Sequence, residues 1–181
     1  MLSPAERSSL LAHARLAVRE AAAGRKPAAP APPSNSPALA AAAGAFVTLH
    51  SGVRALRGCI GYVEARRALW VTVWDAARQA ALDDPRFEPV KPVEVDSLAI
   101  EISVLGTLQS ADAASVRVGQ HGIVLSRGPR RGLLLPQVAV ERGWDTERFL
   151  DAGCEKAGLP PGAWREAGAK IEVFTAEVFG T

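Results

Sequence analysis

Two segments of this chain share one pattern, and together they fix most of what it can fold into. Val47-Thr48-Leu49-His50-Ser51-Gly52 leads to Arg57-Gly58-Cys59-Ile60, and Val124-Leu125-Ser126-Arg127-Gly128 leads to Arg131-Gly132-Leu133-Leu134. Each is a β-type run, a glycine turn, and then Arg-Gly opening an aliphatic run, which predicts a β-hairpin. Hairpins among separated helices predict an α+β fold: a mostly antiparallel sheet built from hairpins, with helices packed on it. A doubly wound parallel sheet would need strands and helices to alternate more strictly. The likeness of the hairpins also raises an internal duplication.

The rest of the chain fills in around them. Ser3-Pro4-Ala5-Glu6 has the form of a capping box with proline at the first helical position. A helix is expected from there to about Ala23, with Leu10, Leu11, Ala14, Ala17, Val18 and Ala21 on one face, and Gly24 ends it. Residues 25–37 read as an extended, mobile proline-rich linker. A second helix is expected over Arg66–Leu82, stopped by Pro85, and a strand over Ser97–Leu108 with Glu101 on its less apolar face. A short helix over Pro136–Glu141, a longer one over Thr146–Ala157 capped by Asp145, and a last strand over Lys170–Phe179 complete the order.

At 181 residues the chain suits a single domain over 1–181 with a sizeable core. A net charge of +2 carries no implication of nucleic-acid or membrane partners. The basic residues are almost all arginine, since only Lys26, Lys91, Lys156 and Lys170 are lysines; with the alanine runs this points to a GC-rich bacterial genome. The N-terminal stretch has no apolar signal core, and no run approaches a membrane span, so the cytoplasm is the expected location. Two cysteines give neither a metal spacing nor a disulfide framework. Cys154, four residues after Leu150 on a helix, reads as core.

Leu56-Arg57-Gly58-Cys59-Ile60-Gly61-Tyr62 is the stretch where chemistry is expected. Glycine inside a strand usually marks a bulge or a close approach by ligand or backbone. A cysteine presented there beside a fixed positive charge is a candidate thiol of depressed pKa; the plainer alternative is a small buried hydrophobe with glycines that serve packing. Such a nucleophile needs a base and oxyanion donors. His121 beside Gly122 is the first candidate base and His50 its rival, while His13 is discounted as lying among polar residues. Glu101 is the candidate orienting or basic carboxylate. Arg57, Arg86 and the Arg130-Arg131 pair would suit an anionic group. No dinucleotide or Walker-type glycine loop, HExxH, CxxC or GxSxG occurs, so no cofactor and no metal are expected.

Leu56-Arg57-Gly58-Cys59-Ile60-Gly61 resembles the signature of the AMMECR domain family, whose bacterial members are called AmmeMemoRadiSam system protein A. Asp84-Pro85-Arg86-Phe87, Ile100 to Leu105, His121-Gly122, Arg130 to Val138 and Gly158-Leu159-Pro160-Pro161 are similar to its further motifs, in the same order, over about residues 5–179. The resemblance implies a pathway shared with a Memo-like protein and a radical SAM protein rather than a defined reaction. Two functions follow. One is an enzyme or enzyme component with a thiol site at Leu56–Gly61, in which Cys59, His121 and Glu101 are catalytic and Arg57, Gly58, Gly61, Arg86 and Arg131 bind substrate. The other is a non-catalytic adaptor, monomer or homodimer, whose motif surface docks one of those two proteins. Nucleic-acid binding ranks third, because basic and aromatic residues are not interleaved.

Overall fold

The structure, a computed structural model, describes residues 1–32 and 35–181, so Pro33 and Ser34 of the expected 25–37 linker lie outside it. Contacts group the chain into two compact units, Met1–Leu105 with Glu177–Thr181, and Gly106–Ala176.

The first unit begins with α1 (Pro4–Ala22), started by the Ser3–Glu6 capping box that the sequence announces. The linker is held at several points: Trp70 Nε1 donates to the Pro30 carbonyl at 2.6 Å, Trp74 Nε1 to that of Pro27 at 3.3 Å, and Ser36 donates to Glu6. A single helical turn, α2 (Pro37–Ala40), leads into the hairpin β1 (Ala45–Ser51) and β2 (Ala55–Tyr62). The next helix, α3, covers Leu69–Leu82 rather than starting at Arg66. Arg67 and Ala68 are instead engaged with the backbone of residues 41–43, through an Ala42–Ala68 bridge and an Ala43 N–H to the Arg67 carbonyl. A 3-10 turn at Pro92–Ser97, where a plain loop is expected, precedes β3 (Ala99–Leu105).

The second unit holds a short strand missed by the sequence pattern, β4 (Gln109–Ala111), then the hairpin β5 (Gly122–Arg127) and β6 (Arg130–Leu134). After α4 (Pro136–Glu141) and α5 (Thr146–Lys156) comes β7 (Ala169–Phe174). The single last strand expected over Lys170–Phe179 is two: the chain breaks at Thr175 and continues as β8 (Ala176–Gly180).

Strand order is β2-β1-β3-β8 in one sheet and β4-β7-β5-β6 in the other. The hairpins and their inner neighbours pair antiparallel, β1 with β2 and β3, β5 with β6 and β7, and β4 with β7. Two similar runs therefore follow in series, a strand pair, then one helix in the first and two in the second, then two strands, and each gives its last strand to the other sheet: β4 follows β3 but pairs with β7, and β8 follows β7 but pairs beside β3.

Register makes the duplication explicit. Leu49 lies opposite Gly58 and Ile100, and Leu125 opposite Gly132 and Ile171. Both leucines are fully buried. Both glycines lie against the helix that follows their hairpin: a Cβ on Gly58 would fall 2.1 Å from the Ala80 carbonyl oxygen of α3, and one on Gly132 2.7 Å from the Gly153 carbonyl oxygen of α5. The Arg-Gly of each hairpin thus permits close helix-on-strand packing. In the first unit α1 and α3 cover this face, with Leu10, Trp74, Leu49, Ile100 and Ile102 buried; in the second, Phe149, Leu150 and Cys154 of α5 cover Ile123 and Leu125.

His13 belongs to that first core, contrary to its expected polar surroundings. It is 4% exposed, stacked on the Trp70 ring at 3.5 Å between centroids, with Nε2 3.0 Å from the Trp70 carbonyl.

Candidate functional site

The sheet face opposite α3 carries the motif cysteine. Cys59 lies opposite Thr48, and Thr48 opposite Glu101, so the three form one row across β2, β1 and β3. Side chains of directly opposed residues share a face, and Glu101 sits on this side because Ile100 and Ile102 turn into the core.

Cys59 is stitched in from two sides. The Thr48 hydroxyl donates to its Sγ at 3.3 Å, and its own N–H donates to Asp84 Oδ2 at 2.8 Å. β2 is the sheet's edge, so this N–H would otherwise have no acceptor in the sheet. Asp84 is 4% exposed and also accepts from the Arg86 backbone at 3.1 Å and from the Arg86 guanidinium at 2.9 and 2.7 Å. The Arg86 fork, with the Cys59 and Arg86 amides, holds the Asp84 carboxyl far below the usual carboxylate range.

The thiol moves the other way. Burial pushes Cys59 up, and the opposing pulls of the Thr48 hydrogen bond and the Arg86 charge are smaller. The thiol is thus raised rather than depressed, although Cys59 is only half-buried. The charge expected to lower it, Arg57, is aimed elsewhere. Register shifts between Leu49 and His50, because His50 lies opposite Leu56 while Leu49 lies opposite Gly58. Arg57 is the extra residue of this bulge, and bulges re-aim side chains. Its guanidinium meets Glu94 at 3.0 and 3.2 Å and the Glu88 and Pro89 carbonyls at 2.9 and 3.4 Å.

The two glycines flanking Cys59 make room for protein. A Cβ on Gly61 would fall 2.3 Å from the Phe46 ring, as one on Gly58 would meet Ala80. His121 lies in the second unit, where its Nδ1 accepts from the Arg117 N–H at 3.2 Å and closes a turn. Gly122 beside it leaves space for the Phe174 ring, 2.3 Å from where a Cβ would be. Arg130 donates to the Gly158 carbonyl at 2.7 Å. Arg131, by contrast, lines an open cleft of the second unit.

His50, the rival base, is the histidine that the first unit places near Glu101. The two line an open cleft of about 410 Å³ with Arg54, Ala99, Ile100 and the β8 residues Val178 to Thr181. His50 Nδ1 is buried without a hydrogen-bond partner. At the hairpin end Val53 is 102% exposed and Leu56 38%. Sequence reasoning missed Asp84, whose signal was its place before Pro85-Arg86, an Asx-type turn position. Among the described residues no cluster of acidic, histidine and cysteine side chains has the makings of a metal site, and no helix is long and apolar enough to cross a membrane.

Comparison with known proteins gives consistent matches. The family model AMMECR1 matches residues 11–179. A protein of Thermofilum pendens is 40% identical over 98% of this chain and 91% of its own length. One of Methanothermobacter thermautotrophicus is 46% identical over 75% of this chain and 74% of its own. The crystal structure of the uncharacterised protein PH0010 of Pyrococcus horikoshii superposes with a TM-score of 0.88 at 40% identity, covering 94% of this chain and 89% of that one. These relatives are archaeal, which gives the bacterial origin read from composition no support.

Proposed function

We propose, from the premise that this chain belongs to the AMMECR1 family, that it is a non-catalytic binding component whose β1–β2 hairpin surface docks a protein partner. The observation that carries this is how Cys59 is held: its amide is spent on Asp84, and burial raises the thiol against the smaller pull of the Thr48 hydroxyl. A nucleophile needs the reverse, a thiolate with a base beside it. The motif then works as architecture. Gly58 and Gly61 fit the strand against α3 and Phe46, Arg57 fixes the 3-10 turn through Glu94, and Asp84 closes the edge. What the motif presents outward is the hairpin end, with Val53 and Leu56 apolar and exposed. Its partner is the Memo-like or the radical SAM protein of the pathway that the family resemblance implies.

The test is co-elution of the purified chain with each of those two purified proteins. The expected result is a complex with one of them, kept by Cys59→Ala and lost by Val53→Glu and Leu56→Glu. No complex with either, or a complex lost by a folded Cys59→Ala, contradicts the proposal. A catalytic role retains one supporting observation, the shared cleft of His50 and Glu101; fast alkylation of Cys59 at neutral pH would favour it.

A further inference from the structure

We propose that the second unit carries a binding site for a small phosphorylated molecule bearing hydroxyl groups, in the cleft on the face of the β4-β7-β5-β6 sheet opposite α5. Arg131, Ser126 and Lys170 lie directly opposite one another on β6, β5 and β7. They form one row with a cation at each end and a hydroxyl between. Neighbouring strands are about 4.8 Å apart, so the two cations start roughly 10 Å apart, a gap that long side chains close around one anionic group.

The next row along the same face is Glu172 with Ser110 opposite it on β4. Two residues along a strand is roughly 7 Å, so a hydroxyl-bearing body attached to the anion would reach a carboxylate acceptor and a second hydroxyl. Arg131 also pairs with Glu172 at 3.7 Å, which ties the two rows together. The cleft holding all five side chains has a volume of about 630 Å³, within the range of small-ligand sites.

The duplication shows that this cleft is a specialised one. By register, Glu101 corresponds to Glu172, His50 to Ser126 and Ala99 to Lys170. Arg57 corresponds to Arg131, but the bulge in the first hairpin turns Arg57 onto Glu94. The second hairpin is regular, Arg127 opposite Arg130 and Ser126 opposite Arg131, so Arg131 stays on the open face. The cation pair is thus found in only one of the two corresponding clefts.

Titration calorimetry of the full chain with glucose 6-phosphate, inorganic phosphate and glucose tests this. Glucose 6-phosphate is expected to bind at least tenfold more tightly than either of the others. Arg131→Gln and Lys170→Gln, both at exposed positions, are each expected to weaken it about tenfold, with thermal unfolding showing that the variants stay folded, and Glu172→Gln to reduce its advantage over inorganic phosphate. The proposal is overturned if the sugar phosphate binds no better than inorganic phosphate, or if the arginine and lysine variants bind as the parent does.

Discussion

The Asp84 carboxylate accepts the main-chain N–H of Cys59 at 2.8 Å, so a residue beyond the end of α3 seals the open edge of β2 at the motif cysteine. The same carboxylate is gripped by Arg86, and one buried anion thereby connects an edge strand, a helix end and a loop.

Asp84→Ala strands the Cys59 amide and the Arg86 fork. Losing a buried charged acceptor is expected to cost about 2–4 kcal/mol, measured by urea denaturation. A cost under about 0.5 kcal/mol would mean that water serves the edge equally well.

Gly58→Ala forces a methyl to within 2.1 Å of the Ala80 carbonyl. Since backbone cannot rotate away as a side chain does, a loss of about 3 kcal/mol is expected, at the upper end for overpacking. Gly132→Ala should behave alike, because the Gly153 carbonyl and the Ala157 amide fill the corresponding space.

Burial pushes the His13 imidazole down to about 4 against the Trp70 and Trp74 rings. Unfolded, it titrates near 6.5. Between those values the unfolded chain binds the extra proton, so stability is full above about pH 6.5 and falls with pH down to about 4. The slope approaches 1.4 kcal/mol per unit. Denaturation midpoints compared at pH 5 and pH 8 should show it, and His13→Phe should flatten it. An unchanged slope in that variant would assign the acid sensitivity to another group.

Thr48→Val removes the hydroxyl that donates to Cys59 Sγ. That hydrogen bond pulls the thiol down, so its loss should raise the thiol further and slow its reaction with iodoacetamide. A faster reaction would mean that the hydroxyl shields the sulfur instead.

Local features were legible in the sequence. The Ser3–Glu6 capping box, the glycine turns and the apolar faces of α1 and α5 are set by neighbours within a turn or two, and they lie where the pattern put them. What escaped depends on distant contacts. His13 reads as polar on its own helix, but Trp70 from α3 covers it. Arg57 adjoins Cys59 in sequence, yet a one-residue bulge sends it to Glu94. The exchange of β4 and β8 depends on which sheet each strand joins, and strands of three and five residues carry little periodicity to announce it.

The measurement that bears most directly on the structural role of the motif cysteine is the alkylation rate of Cys59 against pH, in a Cys154→Ala background. A thiol kept protonated by burial should react slowly at neutral pH, with an apparent pKa above the ordinary value of about 8.5. A fast reaction with an apparent pKa well below that value would contradict the account and return Cys59 to the role of nucleophile.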